Sequence, residues 1–167
     1  MRYVSVVAPQ GVSISLDGRT VTAKGPKGQV KTEFKVVGVN MSIKDGKFEV
    51  DGDNAGSINT IKRRVLMMME GALNGFSRKM VIRYAHFPVK VSVKGSTLMI
   101  DNFYGEKKHR QAKIVNDTKV KVAGQELIVD GPSLDDVTQT VANIRQATKT
   151  REKDKRVFQD GIYAVGE

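Results

Sequence analysis

The chain has 167 residues, two histidines, no cysteine, and 28 lysines and arginines against 18 acidic residues, a net charge of +10. The missing cysteine excludes a disulfide framework, a thiolate zinc site and a thiol nucleophile, and His86 and His109 cannot furnish a three-histidine metal centre. The charge points to a polyanionic partner, either phosphates or anionic lipid head groups, while an apolar content of 40% suffices for a packed core.

In chain order, Met1-Arg-Tyr-Val-Ser5 lacks the sustained apolar stretch of a secretory signal. Val12, Ile14 and Leu16 then alternate with polar residues up to Asp17-Gly18, the pattern of a strand entering a hairpin. Thr20 to Lys24 and Val30 to Phe34 read as strands around the Gly25-Pro-Lys-Gly28 loop. A second hairpin runs through Met41 and Ile43, turns near Asp45-Gly46 and returns through Phe48 and Val50. From Ser57, the residues Ile58, Ile61, Val65, Met68, Met69, Ala72 and Leu73 recur three or four apart, which predicts a helix that stops at Gly75. The run Val65 to Met69 is the longest unbroken apolar stretch, far below the roughly 20 residues a membrane helix needs. The reading is therefore a soluble, intracellular protein.

Met80 to Phe87 reads as an extended crossover ending at Pro88, and the same succession then begins again. Val89, Val91, Val93, Gly95 and Thr97 repeat Val12, Ile14, Leu16, Gly18 and Thr20. Val120, Val122, Leu127 and Val129 repeat Met41, Ile43, Phe48 and Val50. Leu134, Val137, Val141 and Ile144 predict the second helix, with Ser133 and Asp136 spaced as a capping box. The predicted fold class is α+β, a tandem duplication of a small antiparallel sheet packed on one helix. A basic tail follows. The expected domains are 1–79, 80–148 with the crossover strand, and a tail at 149–167.

The residues offer little for catalysis. Asp135 and Asp136 are helix neighbours that point apart, and their expected task is capping. His86 beside Phe87 reads as a packed residue, and no nucleophile-elbow pattern occurs. Cationic segments are the richer feature. Lys24 and Lys27 flank or occupy a G-x-x-G loop, which is either a hairpin turn chosen for its glycine geometry or a phosphate-facing turn. Asn102 to Arg110 sets Phe103 and Tyr104 next to Lys107, Lys108, His109 and Arg110, a mixture suited to phosphates and exposed bases. Lys62 and Arg63 lie on the polar face of the first helix, and Met67 to Met69 read mainly as core filling. Lys149, Arg151, Lys153, Lys155 and Arg156 form the basic tail, which ends in Phe158, Ile162 and Tyr163. Mutual repulsion and the absence of apolar periodicity predict that it is mobile until RNA orders it.

Together, the repeat and the segments Val21 to Gly28, Tyr84-Ala-His-Phe-Pro88, Asn102-Phe-Tyr-Gly-Glu-Lys107 and Lys153 to Tyr163 resemble a known family. That family is universal ribosomal protein six of the large subunit, numbered nine in eukaryotic cytosolic ribosomes. The Tyr84 and Lys153 motifs are similar to its archaeal and eukaryotic branch, and the compact length to archaea. Thr150, Ala164 and Glu167 depart from that branch, which expects aliphatic, aliphatic and basic residues there.

The resemblance implies a non-catalytic constituent of the large subunit with two similar α+β domains and no cofactor or metal. It implies binding to large-subunit rRNA near the stalk base and the sarcin–ricin loop, close to translational GTPases and neighbouring ribosomal proteins, in the cytoplasm. The residues expected at the RNA are Tyr104, Lys107, Lys108, Arg110, Lys149, Arg151, Lys153, Lys155 and Arg156, with Lys24, Lys27, Lys62 and Arg63 as further candidates. The rival reading is a free-standing RNA-binding regulator or chaperone using the same surfaces.

Overall fold

A computed structural model describes residues 2–165, so Glu167 and the end of the expected tail lie outside the described residues. The chain divides into two compact units, one of residues 1–75 with 132–134 and one of residues 76–131 with 135–167. Unit one opens with strand β1 (Arg2–Val7), followed by β2 (Ser13–Asp17), β3 (Thr20–Gly25) and β4 (Gly28–Glu33). It continues with β5 (Val39–Lys44), β6 (Lys47–Gly52) and helix α1 (Ala55–Asn74). The strands form two antiparallel sheets, ordered β1-β6-β5 and β2-β3-β4.

The alternating pattern sets the register. In β6, Phe48 and Val50 are buried and Glu49 faces outward, because successive side chains point to opposite faces. The β5–β6 turn places Asp45 at φ 50° and Gly46 at φ 73°, the two left-handed positions that an Asp-Gly hairpin supplies. Helix α1 starts two residues earlier than its apolar pattern, because Asn54 caps it. The Asn54 Oδ1 accepts from the Gly56 and Ser57 amides at 2.9 and 3.4 Å. Ile58, Ile61, Val65, Met68, Met69 and Ala72 are buried with Val21, Phe48 and Val50 in one core, while Met67 stays exposed. Each buried valine, isoleucine, methionine or phenylalanine among these contributes about 1.5–3 kcal/mol by leaving water.

The Gly25–Gly28 loop is a hairpin turn with a packing task. The Lys27 amide donates to the Ala72 carbonyl at 3.0 Å, satisfying one of the orphan acceptors at the end of α1. A Cβ on Gly25 would sit 2.4 Å from that same oxygen, so only glycine fits.

Unit two repeats the succession with β7 (Phe76–Arg83), β8 (Lys90–Lys94), β9 (Thr97–Asp101), β10 (Arg110–Lys113), β11 (Lys119–Ala123), β12 (Glu126–Gly131) and α2 (Leu134–Ala147). A last strand, β13 (Gly161–Ala164), has no counterpart in unit one. The sheets are ordered β11-β12-β7-β13 and β10-β9-β8. Met80, Ile82, Leu98, Ile100, Phe103, Leu127, Val129, Val137 and Ile144 share its core.

Two expectations are corrected here. The crossover strand is Phe76–Arg83, so the division falls between Gly75 and Phe76 rather than at 79/80, and Tyr84 to Phe87 is irregular and exposed. The register explains this: β7 pairs with β12 from Phe76 to Val81, directly after the α1 cap. Secondly, the end of the expected tail, Asp160 to Ala164, is packed into unit two rather than free of it. Strand β13 pairs with β7, Ile162 is 2% exposed within the core, and its amide donates to the buried Thr148 hydroxyl at 3.3 Å. Sheet hydrogen bonds and one deeply buried isoleucine fix this end, whereas Arg151 to Gln159 is exposed throughout.

Candidate nucleic-acid interface

Three segments of unit two carry the candidate residues: the connector 84–88, the loop 102–110 and the stretch 145–160. The loop departs from β9 through a tight 3-10 turn, Phe103–Gly105. Asn102, Tyr104 and Gly105 adopt φ of 59°, 53° and 72°. Two non-glycine residues in the left-handed region store strain, which the surroundings must over-determine. They do so here: the Asn102 side-chain Nδ2 donates to the Pro88 carbonyl at 3.1 Å, and Phe103 is buried. The loop is thereby anchored at the connector and in the core.

Arg110, expected at the RNA, also has partners within the protein. Its Nε and Nη2 donate to Glu106 Oε2 and Oε1 at 2.9 and 2.7 Å. Its Nη1 donates to the carbonyls of Ala147 and Lys149 at 3.1 and 3.3 Å, and its carbon lies 4.5 Å from the Phe103 ring centre. A guanidinium has five N–H donors, and four of these contacts are internal. Arg110 thus ties the loop to the end of α2. The hydrogen bond from Arg110 holds the Glu106 carboxyl below its usual range, with burial opposing, and Glu106 raises Arg110 in return. His109 pairs with Asp101.

Tyr104 is half-buried beside the tail. Its hydroxyl donates to the Phe158 carbonyl at 3.5 Å, and burial pushes its pKa up. Lys153 stands 5.0 Å from the Tyr104 ring centre and 4.8 Å from that of Phe158, a cation between two rings. Arg156 is paired with Asp154, whose carboxyl is held low by that hydrogen bond.

The remaining cations are uncommitted. Lys107, Lys108, Lys149, Arg151 and Lys155 are exposed, and their side chains form no ion pair or hydrogen bond with a described residue. Lys149 and Lys155 come together with Arg145 along a groove of about 440 Å³ that Gln146 and Tyr163 also line. Among the described residues no carboxylate lines it. Arg145 was missed in the sequence, although its i, i+4 spacing from Lys149 was a usable signal. Like charges that converge without a counter-charge create a positive potential, the footprint of an anion site. Lys24 and Lys27 at the β3–β4 turn, and Lys62 and Arg63 on α1, belong to unit one and are not part of this constellation.

Among the described residues no three His, Asp or Glu side chains could hold a metal ion. His86, expected to be packed in a strand, is exposed beyond the end of β7, edge-on to Phe87 at 4.7 Å. Among the described residues no helix is long and apolar enough to cross a membrane.

Comparison with known proteins decides the family. The model of ribosomal protein L6 matches residues 87–161. Large ribosomal subunit protein uL6 of Methanosarcina mazei is 45% identical over 96% of this chain and 94% of its own. The chain belongs to the ribosomal protein L6 family. The uL6 proteins of Methanococcus vannielii and Aeropyrum pernix are 41% and 40% identical, over 94% and 95% of this chain and 89% and 90% of theirs. These relatives are archaeal, the branch to which the Tyr84 and Lys153 motifs pointed. Proteins of the L6 family are structural rather than enzymatic, and so is this chain.

Proposed function

We propose that the chain is a structural constituent of the large ribosomal subunit that grips folded large-subunit rRNA through unit two. Lys107 and Lys108 of the loop, Arg151 of the tail, and Arg145, Lys149 and Lys155 of the groove replace condensed counter-ions on phosphates. The single observation that carries this reading is the set of uncommitted cations on unit two, with a groove that no described carboxylate lines. Arg110, Lys153 and Arg156 shape the surface through their internal partners, and Tyr104 packs beneath it. Lys24, Lys27, Lys62 and Arg63 are accessory phosphate contacts. The family resemblance supports a cytoplasmic particle, neighbouring ribosomal proteins, and a seat near the stalk base and sarcin–ricin loop where translational GTPases dock.

Salt titration of rRNA binding tests the mechanism. Each phosphate contact adds roughly 0.7–0.9 to the slope of log affinity against log salt. Replacing Lys107 and Lys108 with alanine should lower the slope by about 1.5, and replacing Arg145, Lys149 and Lys155 with glutamine by about 2. Slopes unchanged in both variants would refute the assignment, as would a tagged chain that fails to sediment with large subunits.

A further inference from the structure

The outer face of the β10-β9-β8 sheet carries charges that the matching face of unit one reverses. Leu98, Ile100 and Ala112 point into the core of unit two, so alternation turns Thr97, Met99 and Asp101 of β9 outward. The register sets Lys94 and Lys113 on either side of Thr97, Ser92 and Gln111 on either side of Met99, and Lys90 beside Asp101. In unit one, Thr20 is the repeat of Thr97, and its neighbours across the sheet are Asp17 and Glu33. Two carboxylates flank one threonine, and two lysines flank the other. Core packing does not require this exchange, because all four flanking residues are exposed. Lys94 and Lys113 lie two strand spacings apart, about 10 Å between Cα atoms. Neither ammonium forms an ion pair or hydrogen bond with a described residue. Asp101, the carboxylate at the other end of the face, is paired with His109.

We propose that this face lies against a double-helical segment of large-subunit rRNA, with Lys94 and Lys113 on its phosphates and Ser92, Thr97 and Gln111 toward its shallow minor groove. The site deepens the rRNA reading and rests on it. Like charges held side by side without a counter-charge attract a polyanion. The loop bearing Lys107 and Lys108 leaves β9 and enters β10, so the face continues the cationic surface already proposed for RNA. A duplex suits it better than an unpaired strand. None of the outward residues is aromatic, so a splayed base has nothing to stack on. An A-form helix offers instead phosphates and 2′-hydroxyls across a wide, shallow groove, which hydroxyl and amide side chains on an open sheet face can meet. In unit one the equivalent row, with Asp17 and Glu33, repels phosphate.

The test uses the full chain and large-subunit rRNA, with no other protein present. Lys94→Gln combined with Lys113→Gln should lower the salt slope by about 1.5, from two phosphate contacts at roughly 0.7–0.9 each, and leave the melting temperature unchanged. Lys94→Arg with Lys113→Arg should keep the wild-type slope, since both charges are retained. Lys94→Asp with Lys113→Glu, which gives unit two the row of unit one, should weaken binding more than the glutamine pair. Lys44→Gln with Lys47→Gln removes the same charge from unit one and should leave the slope unchanged. Hydroxyl-radical footprinting should show riboses of a base-paired segment protected by the wild type and released by the glutamine pair at positions 94 and 113. A wild-type slope in that pair, while Lys107→Ala with Lys108→Ala lowers it, would overturn the site and leave the rRNA reading intact. An equal fall in slope for the Lys44 and Lys47 pair would overturn it too, as would released protection confined to unpaired nucleotides. A binding defect that emerges only when other large-subunit proteins are added would assign the face to a protein instead. Failure of the wild-type chain to bind rRNA would overturn the site together with the reading beneath it.

Discussion

Truncating Ile162 to alanine tests whether the tail is part of the fold in the absence of RNA. Ile162 is 2% exposed, sits opposite Ile82 in the β13–β7 register, and shares a core with Met80 and Ile144. Removing three carbons forfeits about 0.8 kcal/mol each in transfer free energy, or about 2.4 kcal/mol. The residual cavity adds to this, within the 2–5 kcal/mol span of isoleucine-to-alanine changes. Strand β13 is a short edge strand that can partly collapse into the space, so about 3 kcal/mol is the expected cost. For a unit of this size that corresponds to a fall in Tm of about 12–24 °C. Val157→Ala, five residues away but 73% exposed, is the matched control and should stay within about 0.5 kcal/mol. Urea titration of the free protein followed by circular dichroism measures both. A cost below about 0.5 kcal/mol for Ile162→Ala would mean that β13 is not docked until RNA binds, and the reasoning from burial and register would be wrong.

Gly25→Ala should destabilise unit one by about 2 kcal/mol or more, because its Cβ would lie 2.4 Å from the Ala72 oxygen that caps α1. Thermal melts compared with Gly18→Ala, whose Cβ would meet nothing within 4 Å, separate the steric clash from the strain of positive φ. The Glu106–Arg110 pair should make stability pH-dependent. The carboxyl is depressed in the folded state, so its contribution is present above the unfolded pKa, near 4.3, and is lost as pH falls through the folded value. Comparison of the wild type with Glu106→Gln between about pH 2 and 6 should show the wild-type advantage shrinking as pH falls; a constant difference would refute the pairing.

The sequence was sufficient for everything that follows from periodicity and local chemistry. Alternation in Met41 to Val50 and Val120 to Val129 determined the hairpins, and their recurrence determined the duplication. The Ile58 to Ala72 spacing determined the buried face of α1, since a period of 3.6 residues places those side chains on one stripe. The excess of cations determined the chemistry of the partner. Tertiary structure alone decided which cations are available to it. Nothing in the spacing of Arg110 from Ala147 and Lys149 reveals that their carbonyls meet its guanidinium, so its role as a brace is visible only in the fold. Nothing local distinguishes Ile162, a core residue, from Phe158, an exposed one. The difference is made by pairing with β7, about eighty residues upstream in the chain. Arg145, Lys149 and Lys155 likewise become one groove only because β13 carries the chain back beside the end of α2. Local pattern governs which elements form, because it reflects each element's own period. Long-range contacts govern which polar groups remain free, because a donor's availability depends on whatever acceptor the fold brings to it.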